Sequence, residues 1–198
     1  MLSTSGSDSS FEFQLTGLTS NPRYYFRAWA RNSEGITEGA AQSFTTGAVP
    51  TATIAISVTD SSPRFQKGSH SGHPEYWKTY THQGHTYIYT YTGDDSADCW
   101  AEFRPYLPQA GTYEVYACFY ADPVNSRNVP YTVYYSGGSA TVYVDEYASN
   151  FFTWREVRLG SWYFDTSSSR RVVVTDATWD GYDGWMTLNV DTIKFVQQ

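Results

Sequence analysis

Lysine is scarce in this sequence, standing only at positions 67, 78 and 194 of 198 residues. Thirteen Lys and Arg face twenty Asp and Glu, which gives a net charge of −7. The arginines are scattered, and the densest pair, Arg170-Arg171, sits among serines. A nucleic-acid partner is excluded on this basis, because neutralising phosphates needs clustered cations. Long apolar runs are also lacking, and none approaches the ~20 residues of a membrane span. The opening MLSTSGSDSS has neither the charged start nor the apolar core of a signal peptide, so any export signal is expected outside this sequence. Cysteine occurs twice, as Cys99 and Cys118, on either side of the turn signal PQAG at 108–111. If the flanking strands form a simple hairpin, the two lie opposite one another and a disulfide is within reach, which an oxidising compartment would favour. Two packed free thiols are the equal alternative. Helical periodicity is missing as well.

Aromatic residues are what the chain has in excess: 18 Tyr, 7 Trp and 11 Phe. Tyr, Trp, Thr and Val suit a pleated, half-buried surface. Apolar residues recur at period two in FEFQLTGL (11–18), RYYFRAWARN (23–32), TIAISV (53–58), HTYIYTYT (85–92), GTYEVYACFYA (111–121), SATVYVDEY (139–147) and RRVVVTDA (170–177). Turn clusters such as NSEG, TGDDS, SGG and DTSSS separate them. Short alternating segments with frequent turns predict an all-β chain of β-sandwich, jelly-roll-like architecture. The stretch FTTGAVPTAT (44–53) predicts a boundary, with 1–48 and 54–198 as domains and 49–53 as a short linker.

The first block, about residues 8–47, resembles the C-terminal half of a fibronectin type III domain. The resemblance is carried by LTGL (15–18), YYFRAWARNSEG (24–35) and SFTT (43–46). It implies strands E, F and G only, with Tyr25 at the tyrosine-corner position, where the hydroxyl ties back to upstream backbone. Three strands without their opposing sheet leave an apolar face open. Phe11, Phe13, Tyr24 and Phe26 are the residues expected on it, and strand addition from a neighbouring chain would cover it.

The second block resembles the golvesin C-terminal family, also described as a xanthan-lyase carbohydrate-binding-like domain. The resemblance rests on WAEFRPYLPQAGTYEVY (100–116), PYTVYYSGGSATVYVDE (130–146), Trp154, LGSWYF (159–164), RRVVVTDA (170–177) and NVDTIKF (189–195). It implies a non-catalytic β-sandwich of secreted proteins, commonly read as polysaccharide-binding. The sequence departs from the pattern at Glu146, where the family usually carries Gln.

Sugar binding needs flat aromatic faces together with amides or carboxylates for the hydroxyls. The loop TWDGYDGWM (178–186) supplies both through Trp179, Asp180, Tyr182, Asp183 and Trp185. A second aromatic stretch comprises Tyr76, Trp77, Tyr80, Tyr87, Tyr89 and Tyr91, about half of which strand alternation is expected to send into the core. The four histidines form HSGH and HQGH, so His70, His73, His82 and His85 could ligate a metal if two loops converged. Solvated polar loops are the simpler reading of those pairs. No nucleophile elbow, phosphate loop or redox cysteine spacing is present, so neither a catalytic residue nor a cofactor is expected.

Two readings of function follow. In one the protein is an extracellular structural or adhesive subunit, a homo-oligomer or filament built by strand addition. In the other it is a carbohydrate-binding module from a larger secreted polysaccharide-degrading enzyme.

Overall fold

The computed structural model describes residues 15, 18–19, 22–46, 52–93, 96–180 and 186–198. The chain divides into two compact units, 1–50 and 51–198, and the described residues are all-β apart from a 3₁₀ turn at Pro74–Tyr76. No helix is long and apolar enough to cross a membrane among the described residues.

The first unit holds β1 (Arg23–Phe26), β2 (Trp29–Asn32), β3 (Gly35–Glu38) and β4 (Gln42–Thr45). β1 pairs with β4 and β2 with β3, both antiparallel. The single strand expected over 23–32 is therefore interrupted after Phe26. The interruption is bridged by the Gly39 N–H, which donates to the Ala28 carbonyl at 2.8 Å, and by an Arg27–Glu38 ion pair. The upstream tie expected of Tyr25 is made by Tyr24, whose hydroxyl accepts the Thr19 N–H at 2.9 Å. Tyr25 itself is 72% exposed. Period-two geometry accounts for the difference: Tyr24 and Phe26 share a strand face and meet Phe44 at ring distances of 5.8 and 6.2 Å, while Tyr25 points the other way. Phe26 is exposed; Phe11 and Phe13 lie outside the described residues.

The second unit comprises β5 (Thr53–Ser57), β6 (Phe65–Ser69), β7 (Lys78–His82), β8 (His85–Tyr91), β9 (Cys99–Phe103), β10 (Gly111–Ala121), β11 (Val129–Tyr135) and β12 (Gly138–Val144), followed by β13 (Thr153–Phe164), β14 (Arg171–Thr175), β15 (Thr187–Val190) and β16 (Thr192–Gln197). One sheet has the order β12-β11-β14-β9-β6 and another β13-β10-β16-β5. β15 and β16 are separated only at Asp191, and β15 carries β8 and β7 as a three-stranded extension. The inward rows of β10 (Tyr113, Val115, Ala117, Phe119), β16 (Ile193, Phe195), β9 (Ala101, Phe103) and β14 (Val172, Val174) are fully buried and form one sandwich core. Burying a large side chain of this kind stabilises the fold by about 1.5–3 kcal/mol.

The strands flanking PQAG do not form a hairpin. β9 pairs with β6 and β14, whereas β10 pairs with β13 and β16, which sends the two cysteines to different sheets. Both are free and buried. Burial pushes the Cys99 thiol up to about 11 and the Cys118 thiol up to about 12, which suppresses the reactive thiolate.

Gly68 is set by a close approach. A Cβ on Gly68 would lie 2.6 Å from the Trp100 ring, which covers it, and the Gly68 carbonyl also accepts the buried Trp77 indole N–H at 3.0 Å. Gly68→Ala must displace Trp100, an overpacking error costing about 1–3 kcal/mol. Urea denaturation followed by Trp fluorescence should show the midpoint lowered, with the slope unchanged.

Candidate functional site

The β7–β8 hairpin turns at Gln83-Gly84, where φ is +49° and +83°. Two consecutive left-handed residues make this a type I′ turn, matched to the twist of a hairpin. HQGH is thus a hairpin turn with His82 and His85 paired across it. His82 stacks on Phe152 with centroids 4.2 Å apart. His85 packs on Trp154 at 4.8 Å, and its Nδ1 lies 3.4 Å from Asp191 Oδ2. His73 binds Glu75 at 2.8 Å and stacks on Tyr76, while the His70 N–H donates to the Asp98 carbonyl. No group of three or more His, Cys, Asp or Glu placed to hold a metal ion occurs among the described residues.

Register then decides where the tyrosines go. Tyr80 faces Tyr87, Lys78 faces Tyr89, and on the other side Asn189 faces Tyr89 while Thr187 faces Tyr91. Tyr87, Tyr89 and Tyr91 are two residues apart and must share one face of β8. The opposite face carries Ile88 and Thr90, both buried in the sandwich. The expectation that about half of these rings enter the core is therefore corrected: the core takes the residues between them, and of that stretch only Trp77 and Tyr87 are buried.

Above this face lies a cleft of about 310 Å³. Tyr80, Tyr87 and Tyr89 form one wall, and Phe151, Phe152 and Val124 another. Asp122, Thr187 and Asn189 supply its polar floor. Tyr80 lies nearly parallel to Phe152, with an interplanar angle of 9° and centroids 6.0 Å apart. Beneath them Tyr120 joins Tyr87 at 5.6 Å and Trp154 at 5.1 Å. This covering explains why β10, which alternates buried and half-buried residues from Tyr113 to Ala117, is buried on both faces from Cys118 onward.

Polar groups hold the cleft in shape. The Asp122 carboxylate accepts the Phe152 N–H at 2.7 Å, and Phe152 has φ +53°. A left-handed phenylalanine is strained by about 1–3 kcal/mol and persists only where its surroundings enforce it. The Asn189 side-chain amide donates to the Tyr120 carbonyl at 2.8 Å and to Asp122 Oδ2 at 3.5 Å. The Thr187 hydroxyl donates to Asn125 Oδ1 at 3.0 Å. Below the floor, the fully buried Glu146 accepts the Tyr131 phenol at 2.7 Å and the Asn189 backbone N–H at 2.8 Å. Burial raises the pKa of Asp122, and it pushes Glu146 up to about 8 against the pull of those two donors.

Of the sequence-expected loop, Trp179 and Asp180 are not among the lining residues. Trp179 is 65% exposed, with φ +62°. Asp180 accepts a hydrogen bond from Ser126, two residues beyond Val124 of the cleft wall. Tyr182, Asp183 and Trp185 are outside the described residues. Sequence reasoning missed Asp122, Phe151, Phe152, Thr187 and Asn189. They come from three separate segments and share no local motif; the usable signal was the shared face of Tyr87, Tyr89 and Tyr91.

Comparison with known proteins adds the fold's kinship. A Paenibacillus xanthan lyase structure superimposes with a TM-score of 0.58 at 22% identity, over 90% of this chain and 20% of the lyase. The chain thus spans about a fifth of that protein. The C-terminal CBM6 of LamC from Zobellia galactanivorans, a marine laminarinase, gives a TM-score of 0.49 at 9% identity, over 74% of this chain and 100% of that module. A carbohydrate-binding module of Cellvibrio mixtus lichenase 5A, in complex with cellotriose, gives 0.40 at 16% identity, over 74% of this chain and 97% of that one. No curated protein matches the sequence. Residues 64–197, more than half of the chain, match the Golvesin C-terminal domain, and the chain belongs to that family.

Proposed function

We propose that this chain is a non-catalytic, extracellular carbohydrate-binding module and that the aromatic cleft above β7, β8 and β15 is its binding site. The observation that carries this reading is the cleft itself. Parallel ring faces from Tyr80 and Phe152 stand over a floor of carboxylate, amide and hydroxyl, the combination that a sugar ring with apolar faces and polar edges requires. Membership of the Golvesin C-terminal family and the shared fold with part of a xanthan lyase support it. In this reading the module is one part of a larger polysaccharide-degrading protein. Residues 1–48 are then the E, F and G strands of a fibronectin type III-like unit. Assembly into a filament finds no support in these comparisons.

The test is affinity electrophoresis through gels containing soluble polysaccharides, followed by calorimetry on the best of them. Tyr80→Ala should weaken binding about tenfold. Tyr163→Ala, which removes an exposed ring from β13, should bind as the parent does. Equal binding by all three proteins would place the site elsewhere.

A further inference from the structure

The hydrogen-bond inventory of the cleft floor is one-sided. Asn189 spends its amide donors on the Tyr120 carbonyl and Asp122, which leaves its carbonyl oxygen as the uncommitted end. Thr187 spends its only donor on Asn125, leaving hydroxyl lone pairs. Asp122 takes one backbone N–H and the Asn189 amide, and an ionised carboxylate has about four acceptor positions. Each polar group of the floor therefore has lone pairs to spare and no free donor. Neither Lys nor Arg lines the cleft. Lys78 is opposite Tyr89 in the register, but its ammonium donates to the Glu75 carbonyl at 2.8 Å. The hydroxyls of Tyr80, Tyr87 and Tyr89 can donate, yet they carry no charge.

On the carbohydrate-binding reading given above, we infer that the cleft selects glycan segments without acidic substituents, engaging their hydroxyls as donors and rejecting uronate, sulfate or pyruvyl groups. A sugar hydroxyl brings the proton that Asp122 and the Asn189 carbonyl lack. An acidic substituent is acceptor-only. Seated there, it would face the buried Asp122 carboxylate with no Lys or Arg in the lining; the His82 imidazole is stacked on Phe152 and the tyrosine hydroxyls donate without charge, so desolvating it is costly.

The test uses matched short oligosaccharides, one ending in a neutral hexose and the other in the corresponding uronate, titrated calorimetrically against the full chain at pH 7.5. Titrations run in 0.5 M NaCl, where the Debye length falls to about 4 Å and repulsion from the net charge is screened. The neutral ligand should bind roughly ten- to a hundredfold more tightly. Asp122→Asn, which removes the charge and introduces a donor, should narrow that ratio towards one. Unfolding curves for this variant confirm that it is folded. Uronate binding at least as tight as neutral binding, lost on Tyr80→Ala, overturns this inference while leaving the carbohydrate reading intact. No binding of any glycan overturns both. An unchanged ratio in folded Asp122→Asn removes Asp122 as its cause and overturns the inference.

Discussion

Glu146→Gln should stabilise the second unit by about 4 kcal/mol at pH 8 while leaving it almost unchanged near pH 4.5. Glu146 is completely buried, and burial is the largest influence on its carboxyl, raising it from about 4.5 in the unfolded chain to about 8 in the folded one. An acid whose folded pKa is raised holds its proton more tightly when folded. Its contribution is therefore fully present below about pH 4.5, is lost as pH rises, and reaches its full penalty above about pH 8. Asp122, Asp176 and Asp191 are shifted in the same direction by burial, so the wild-type curve alone does not isolate Glu146. The difference between wild type and variant does. Glutamine keeps the Asn189 N–H bond through its carbonyl and replaces the Tyr131 bond by one of reversed direction, its amide donating to the phenol oxygen. Glutamine is also the residue that the family pattern led us to expect at this position. Urea titrations from pH 4.5 to 8.5 provide the measurement, and a variant less stable than wild type at pH 8 would contradict the assignment. Glu146→Ala should behave oppositely, costing about 1–3 kcal/mol for each of the two donors left unpaired.

Phe152→Gly is expected to cost binding without costing the fold. The ring lines the cleft, stacked on His82 and parallel to Tyr80, so its loss removes a large part of the apolar lining. The backbone at this position is left-handed, and glycine adopts that conformation at no steric cost. The strain released, about 1 kcal/mol or more, offsets much of the lost packing of a partly exposed ring. The N–H that Asp122 accepts remains in place. Glycan affinity should fall at least tenfold while the thermal midpoint moves by only a few degrees. A large fall in midpoint would mean that Phe152 serves mainly as packing. Unchanged affinity would remove it from the site.

Much of the fold was written in the period of the sequence. The segments alternating at 85–92, 111–121 and 170–177 contain β8, β10 and β14, and DTSSS and the Ser136-Gly137 pair of SGG fall between strands. What alternation does not encode is partner choice. The Pro-containing turn at 108–111 reads as a hairpin locally, yet β9 and β10 belong to different sheets. The same limit hid the cleft. Asp122 follows β10, Phe152 precedes β13 and Asn189 lies on β15, so only the completed sheet order brings them within hydrogen-bond reach. Tyr24 and Tyr25 show a finer limit: the sequence pattern points to Tyr25, and it is Tyr24, on the other face of the strand, whose hydroxyl accepts the Thr19 N–H.

The pairing of β5 with β16 has a mechanical consequence. Thr53 lies opposite Val196 in an antiparallel register, and the Gln197 N–H donates to the Ala52 carbonyl at 2.9 Å, so the two ends of the second unit leave side by side. Tension applied through those ends would load the ladder one rung at a time, peeling it open like a zip, instead of shearing all its hydrogen bonds together. A tether attached this way yields at low force along that axis. Load arriving at the cleft would instead run through β8 and β15, past Asp191, into β16 and be shared with β10.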